Sequence, residues 1–247
     1  MNILNIKNLS VTFENKCIIS NFNFTMNSGE IHVIMGPNGV GKSTLAKVLT
    51  GNFNGLKVDG NVIYNGYDIS NYSVEEIALR GIFLSFQTPV TILGLTNLQF
   101  LRSFVNNKRK YEGKPPVESG DFIKEIEFIM QKLNMKRDLL YRFVNDGFSG
   151  GEKKKNEILQ MFLLKPNLII LDELDSGLDV DSLKDVCNAI FSYLSKDSSV
   201  LIITHYIRIL KYISPDYVHI LLDGKIVKTG DINLALEIDA NGYSLAF

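Results

Sequence analysis

Two hydrophobic rhythms divide the chain. Short apolar runs, alternating or continuous, fill its first and last thirds, and the middle repeats apolar residues at helical spacing. Ile3 to Phe13 is rich in Ile, Leu and Val, and Phe22 to Met26 alternates apolar with polar residues. Ile31 to Met35 is a short, mostly apolar run ending at Gly36, the pattern of a buried strand feeding a loop. Lys42 to Leu49 has helical spacing. Ser73 followed by Glu76 predicts a capping box, Gly81 ends that helix, and Ile82 to Phe86 is another buried strand. From Leu93 to Leu164 the spacing predicts helices, with Leu98, Leu101 and Val105 on one and Phe122, Ile126, Ile129 and Leu133 on the next. Asn106 to Gly120, with Lys108, Arg109, Lys110 and Pro115-Pro116, predicts a solvated loop between them; Glu112 and Glu118 offset its basic residues and argue against a nucleic-acid patch. In the last third, Leu168 to Leu171 and Val200 to Ile203 predict strands, and Asp181 to Leu194 and Ile207 to Ile213 helices. Tyr217 to Leu222 with Ile226 to Lys228 predicts a hairpin across Asp223-Gly224.

Strand–helix alternation predicts an α/β fold with a parallel sheet. The expected layout is one domain over residues 1–247: a core of 1–88 and 165–247 with a small antiparallel β subdomain, split by an inserted helical subdomain at 89–164.

Composition narrows the picture. A chain of 247 residues buries roughly three quarters of its unfolded surface and needs no disulfide or metal staple. Hydrophobic residues at 45%, charged residues at 21% and a net charge of -1 suit a globular protein with no polyanion partner. Cys17 and Cys187, without CxxC pairing, predict two reduced, buried core thiols and a reducing compartment, and two thiols fall short of the four that hold an iron–sulfur cluster. No apolar run approaches the roughly 20 residues of a membrane span, and the N-terminus lacks the basic and apolar regions of a secretory signal.

The chemistry lies at predicted strand ends. Gly36-Pro37-Asn38-Gly39-Val40-Gly41-Lys42-Ser43, followed by Thr44, fits G-x-x-x-x-G-K-[ST] between a strand and a helix. Its backbone N–H groups and the helix N-terminus suit the phosphates of ATP, Lys42 reaches the β/γ-phosphates, and the Ser43 hydroxyl suits Mg²⁺. Leu168 to Leu171 delivers Asp172 to a carboxyl strand end, placed to hold Mg²⁺, with Glu173 next to it, placed to polarise an attacking water. Alone, that pair reads as two solvated carboxylates; downstream of a phosphate loop it reads as a site. His205 ends another strand and is expected to contact the γ-phosphate, and Gln87, just past Phe86, to sense Mg²⁺ at the entry to the helical insert. Phe13 is expected to stack on adenine.

Phe148-Ser149-Gly150-Gly151-Glu152 precedes a helix, and with Ser149 as N-cap and open glycine amides it predicts a second anion site. One ATP does not need two such sites in one chain. Two chains arranged head to tail would use both, each closing over the other's γ-phosphate.

In this order the chain resembles the ATP-binding-cassette family over essentially its whole length. Phe13, the loop 36–43, Gln87, the signature 148–152, Asp172-Glu173, the loop Ser176-Gly177-Leu178-Asp179 and His205 all match. The resemblance implies Mg²⁺-dependent ATP hydrolysis in a transient dimer, with Glu173, His205 and Gln87 catalytic, Ser43, Gln87 and Asp172 at the metal, and 149–152 and 176–179 at the second subunit. Lys153 to Met161 after the signature, Leu174-Asp175 after Glu173, and Tyr206, Arg208, Tyr212 and Pro215-Asp216-Tyr217-Val218-His219 after His205 resemble the SUF branch. That branch powers iron–sulfur cluster assembly. It implies soluble partners, SufB-like and SufD-like scaffolds, docking near Thr88 to Leu101, with no nucleic acid and no membrane insertion. A bacterial-type cytoplasm or a plastid stroma would then be its compartment. The energy-coupling subunit of a membrane transporter is the competing expectation.

Overall fold

The computed structural model describes residues 2–195 and 197–243. In chain order its elements are β1 (Asn2–Phe13), β2 (Lys16–Asn27), β3 (Ile31–Met35), α1 (Lys42–Leu49), β4 (Leu56–Tyr64), β5 (Tyr67–Asp68), α2 (Val74–Leu79), β6 (Ile82–Ser85), β7 (Ile92–Thr96), α3 (Asn97–Tyr111) and α4 (Ser119–Lys132). Then follow β8 (Phe143–Val144), α5 (Gly150–Leu164), β9 (Leu168–Asp172), α6 (Val180–Tyr193), β10 (Ser199–Thr204), β11 (Tyr217–Leu222), β12 (Lys225–Gly230) and α7 (Ile232–Asn241). They form two compact units, residues 1–84, 167–173 and 195–247 in one and 85–166 with 174–194 in the other.

The first unit holds two sheets. Strands β2-β1-β4-β5 make an antiparallel sheet, and β12-β11-β3-β10-β9-β6 a second in which β11, β3, β10 and β9 run parallel. The apolar runs of β3, β9 and β10 are continuous because both faces of a parallel sheet are covered. Leu45, Val48 and Leu49 of α1 join Ile34, Ile170 and Ile203 of one sheet and Leu4, Ile6, Leu9 and Phe22 of the other in a single core.

Two buried histidines in this unit link a chain of polar groups that reaches the surface at Thr229. His32 Nε2 lies 3.0 Å from Glu30 Oε2, His32 Nδ1 lies 3.0 Å from His219 Nε2, and His219 Nδ1 lies 2.9 Å from the Thr229 hydroxyl. Phe24 and Tyr217 pack on the two imidazoles. Burial lowers the pKa of His32, and burial with the neighbouring His32 lowers that of His219 to about 4.

The second unit is helical around α5, which packs against α3, α4 and α6. The apolar residues of α5 are buried, and so are three of its polar ones, Lys154, Asn156 and Glu157.

Several expectations change. Residues 93–164 are not wholly helical, because β7 and β8 pair as a short antiparallel ribbon. The stretch 106–120 is not all loop: α3 runs to Tyr111, and Lys108, Arg109 and Lys110 sit in its last turn, where cations suit the helix dipole. Ile207 to Ile213 yields only a 3₁₀ turn, Arg208–Lys211, with no side-chain cap. Cys187 is buried, and burial pushes its thiol up to about 12, whereas Cys17 is exposed. Cys17 lies just past the Glu14-Asn15 turn, and residues 13–17 all lie on the surface there.

Candidate active site

Three strand ends build the site in the first unit. β10 lies between β3 and β9, and Thr204 pairs with Met35 while Ile203 pairs with Asp172. All three strands therefore finish at one level of the sheet. Each is followed by polar chain: the 36–41 loop, Glu173 and His205. Carboxyl ends of parallel strands are where ligands of open α/β sheets bind.

The loop after β3 is fixed by its glycines. Gly36 is buried, and a Cβ there would stand 2.4 Å from the Leu221 carbonyl oxygen, so no larger residue fits. Gly41, with φ of 104°, turns the chain through the left-handed region into α1. No side chain caps α1. Lys42 is buried, and its ammonium donates to the Gly36 carbonyl at 2.8 Å and the Pro37 carbonyl at 3.1 Å. Burial lowers its pKa, and the charges of Glu173 and Asp172 partly restore it. Ser43 is exposed and Thr44 half-buried in the first turn, and Asn38 and Gly39 are exposed.

Asp172 is buried at the end of β9. Glu173 follows in the left-handed region, φ 47°, held there by its own N–H donating to the Ile203 carbonyl at 2.8 Å. For a residue with a Cβ that conformation costs on the order of 1 kcal/mol. It turns the carboxylate toward His205, whose Nδ1 lies 3.1 Å from Glu173 Oε1. An ionised carboxylate only accepts, so the contact calls for the Nδ1–H form of the imidazole. Phe13 ends β1 half-exposed, and its ring lies over Gly55.

The remaining expected residues belong to the second unit. Gln87 is exposed. Its neighbour Phe86 is clamped by α5: the Phe86 N–H donates to Glu157 Oε1 at 2.8 Å, and the Phe86 carbonyl accepts from Lys154. The Ser85 hydroxyl donates to Glu157 Oε2 at 2.6 Å. The sequence placed Lys154 and Glu157 in a stretch resembling the SUF branch, with no part at the site. The signal was available: with Ile158 and Met161 they follow the i, i+3, i+4, i+7 spacing of a buried stripe, and a charged pair on such a stripe needs polar partners.

Ser149 and Glu152 form a capping box, with Glu152 N donating to Ser149 Oγ at 3.2 Å and Ser149 N to Glu152 Oε2 at 2.8 Å. That use of its carboxylate holds Glu152 below the usual pKa. The box leaves the amides of Gly150 and Gly151 out. Both glycines are packed closely by the 176–182 segment: a Cβ on Gly150 would lie 3.2 Å from the Gly177 carbonyl, and one on Gly151 3.2 Å from Ser182 Oγ. Asp179 caps α6 through Ser182 N at 2.7 Å, and Leu178 is buried. Ser149–Glu152 and Ser176–Asp179 are thus neighbours within this unit.

Residues 19–176 match the family model described as ABC transporter. The chain belongs to the ABC transporter family. It is an ABC ATPase, an ATP-binding cassette of the ATP-hydrolysing kind. Similar curated proteins include a probable ATP-dependent transporter, slr0075, of Synechocystis, 47% identical over 98% of this chain and 94% of the relative. Another is the probable ATP-dependent transporter ycf16 of Guillardia theta, 46% identical over 98% and 95%. Among solved structures, the ABC transporter cassette MJ1267 superposes with a TM-score of 0.79 at 27% identity, over 99% of this chain and 98% of that one. An ADP conformation of that cassette gives 0.77 over 99% and 97%. Among the described residues no helix is long and apolar enough to cross a membrane.

Proposed function

We propose that this ABC ATPase is a SufC-type subunit, whose Mg²⁺-dependent ATP hydrolysis drives iron–sulfur cluster assembly on SufB-like and SufD-like scaffolds. The observation that carries it is the exposed apolar run after Gln87: Val90 is 65% and Leu93 71% exposed, with Phe86 and Ile92 beside them. Apolar side chains left in water on one stretch mark a docking surface. Tyr206, Leu174-Asp175 and the 153–161 helix carry the likeness to the SUF branch.

In this reading the 36–44 loop cradles the phosphates of ATP, and Lys42 exchanges the carbonyls of Gly36 and Pro37 for phosphate oxygens. Glu173 takes the proton of the attacking water, and His205 holds Glu173 and meets the γ-phosphate. The Ser43 hydroxyl and the Asp172 carboxylate are hard oxygen donors too few to enclose an ion. That suits Mg²⁺, which keeps water and phosphate oxygens. Bound Mg²⁺ neutralises phosphate charge. Phe13 stacks on adenine. Ser149 to Glu152 and Ser176 to Asp179 of a second subunit close each site.

The printed names of the curated relatives favour a second reading, the energy-coupling subunit of a membrane transporter. Purification of the native complex decides between them. We expect soluble scaffold subunits, lost with Val90→Asp/Ile92→Asp while ATP binding stays. A membrane subunit at this surface, or full scaffold recovery by the double variant, would reject the proposal.

A further inference from the structure

Had β10 run on past Thr204, His205 and Tyr206 would point to opposite faces, as successive side chains on a strand do. They do not. Their ring centroids lie 3.8 Å apart, tilted by 42°. The cause is the residue before them. Thr204 is fully buried, and its hydroxyl accepts from the Tyr206 N–H at 3.0 Å and donates to the Tyr206 carbonyl at 3.2 Å. One hydroxyl bonded to both backbone groups two residues ahead closes a tight turn that brings the phenol back over the imidazole. The guanidinium of Arg208 stands 5.5 Å from the Tyr206 ring centre and covers it in turn.

His205 is therefore gripped twice, by the Glu173 carboxylate at Nδ1 and by an aromatic face. A hydrogen bond at one nitrogen leaves the ring free to swing about that bond, and a flat neighbour removes the swing. We propose that Tyr206 is a positioning residue for ATP hydrolysis: clamped by Thr204, its ring holds the His205 imidazole in the one orientation that keeps Nδ1 on Glu173. The aromatic face is what matters, since no bond to the Tyr206 hydroxyl enters the arrangement. With 47% of its surface exposed, Tyr206 contributes little to the core, and its truncation should leave the fold intact.

The inference rests on the roles given to Glu173 and His205, and the experiment separates the two. Steady-state ATPase assays on Tyr206→Ala should show kcat reduced about tenfold, the scale of a modest misplacement of a catalytic group, with KM for ATP unchanged. Tyr206→Phe should restore kcat to within about twofold of the parent. Thr204→Val, isosteric but without the hydroxyl, should reproduce the Tyr206→Ala defect. Side-chain ¹⁵N NMR should show His205 as a single Nδ1–H tautomer in the parent and Tyr206→Phe, and averaged between tautomers in Tyr206→Ala. Parental kcat in Tyr206→Ala, or failure of Tyr206→Phe to rescue, would overturn the proposal while Glu173→Gln still tested the underlying roles. If Tyr206→Ala raised KM and kcat together, the residue would belong to nucleotide binding, and the proposal would fall as well.

Discussion

The two units handle polarity in opposite ways. In the first, three strands deliver Lys42, Asp172, Glu173 and His205 to one level of a sheet, with Glu173 in left-handed backbone. In the second, polar groups turn inward and satisfy one another. Asn97 Nδ2 donates to Asn156 Oδ1 at 2.7 Å, Asn156 Nδ2 donates to Asn145 Oδ1 at 3.0 Å, and Asn145 Nδ2 donates to the Val90 carbonyl at 2.7 Å. Asn97 and Asn156 are fully buried and Asn145 nearly so. That unit also leaves apolar side chains exposed, at Val90, Ile92 and Leu93. In the first unit buried charged groups gather at strand ends, and in the second buried amides lie beneath the loop that exposes Val90 and Leu93.

The contrast breaks hardest at Glu173. Glu173→Gln keeps the size of the side chain and loses its charge, so turnover should fall at least ~10²-fold while ATP still binds. Phosphate release with parallel nucleotide-binding measurements checks this, and turnover at the parental rate would remove Glu173 from its role. In the second unit the largest effect should be on stability. Asn156→Ala strands Asn97 and Asn145 in the interior, and we expect about 3 kcal/mol of destabilisation from the abandoned polar groups and the cavity. Urea denaturation gives the total. Hydrogen exchange should place it in α3, α5 and β8, and a loss confined to β3, β9 and β10 would contradict the picture.

A pair of buried histidines also exists in the first unit, away from the site, and acid tests it. His32 and His219 are held below the ordinary histidine pKa mainly by burial, with Glu30 and Asp216 opposing the effect on His32. Below about pH 6.5 the unfolded chain takes up protons that the folded chain refuses. Stability should therefore be complete above that pH and fall as pH drops toward about 4, by on the order of 2–3 kcal/mol for His219. Denaturation midpoints between pH 7.5 and 4.5 would show it, and His219→Phe should flatten the curve. The smallest expected effect is on Val90→Asp/Ile92→Asp. Surface changes there should leave stability within about 0.5 kcal/mol and basal ATPase unaltered. A larger loss would mean that these side chains serve the unit's own packing.

Legibility in the sequence followed the range of the interactions. β3, β9, β10 and the residues at their ends could be read because each is a continuous apolar run beside its own motif. The β7–β8 ribbon could not, since Ile92 pairs with Val144, far along the chain, and neither strand is long enough to show a period. Each asparagine of the buried triad, taken alone, reads as a surface residue. So does Lys154 until its helix is packed. Pro115 and Pro116 suggested a longer loop than exists, because α3 continues past the point where its residues turn basic. Tyr206 stood out by its likeness to one branch of the family, but its contact with His205 depends on the Thr204 turn, which breaks the strand alternation a reader would assume.

The left-handed backbone of Glu173 has a consequence for anyone evolving this protein. Glycine would occupy φ 47° without steric penalty, and asparagine with little. A library screened only for heat resistance should therefore drift toward those residues at position 173 and, with Glu173 as the base we propose, converge on robust, inert cassettes. Selection for turnover must oppose that drift in every generation. The occupant of this one position would tell a breeder of variants which of the two pressures had been applied.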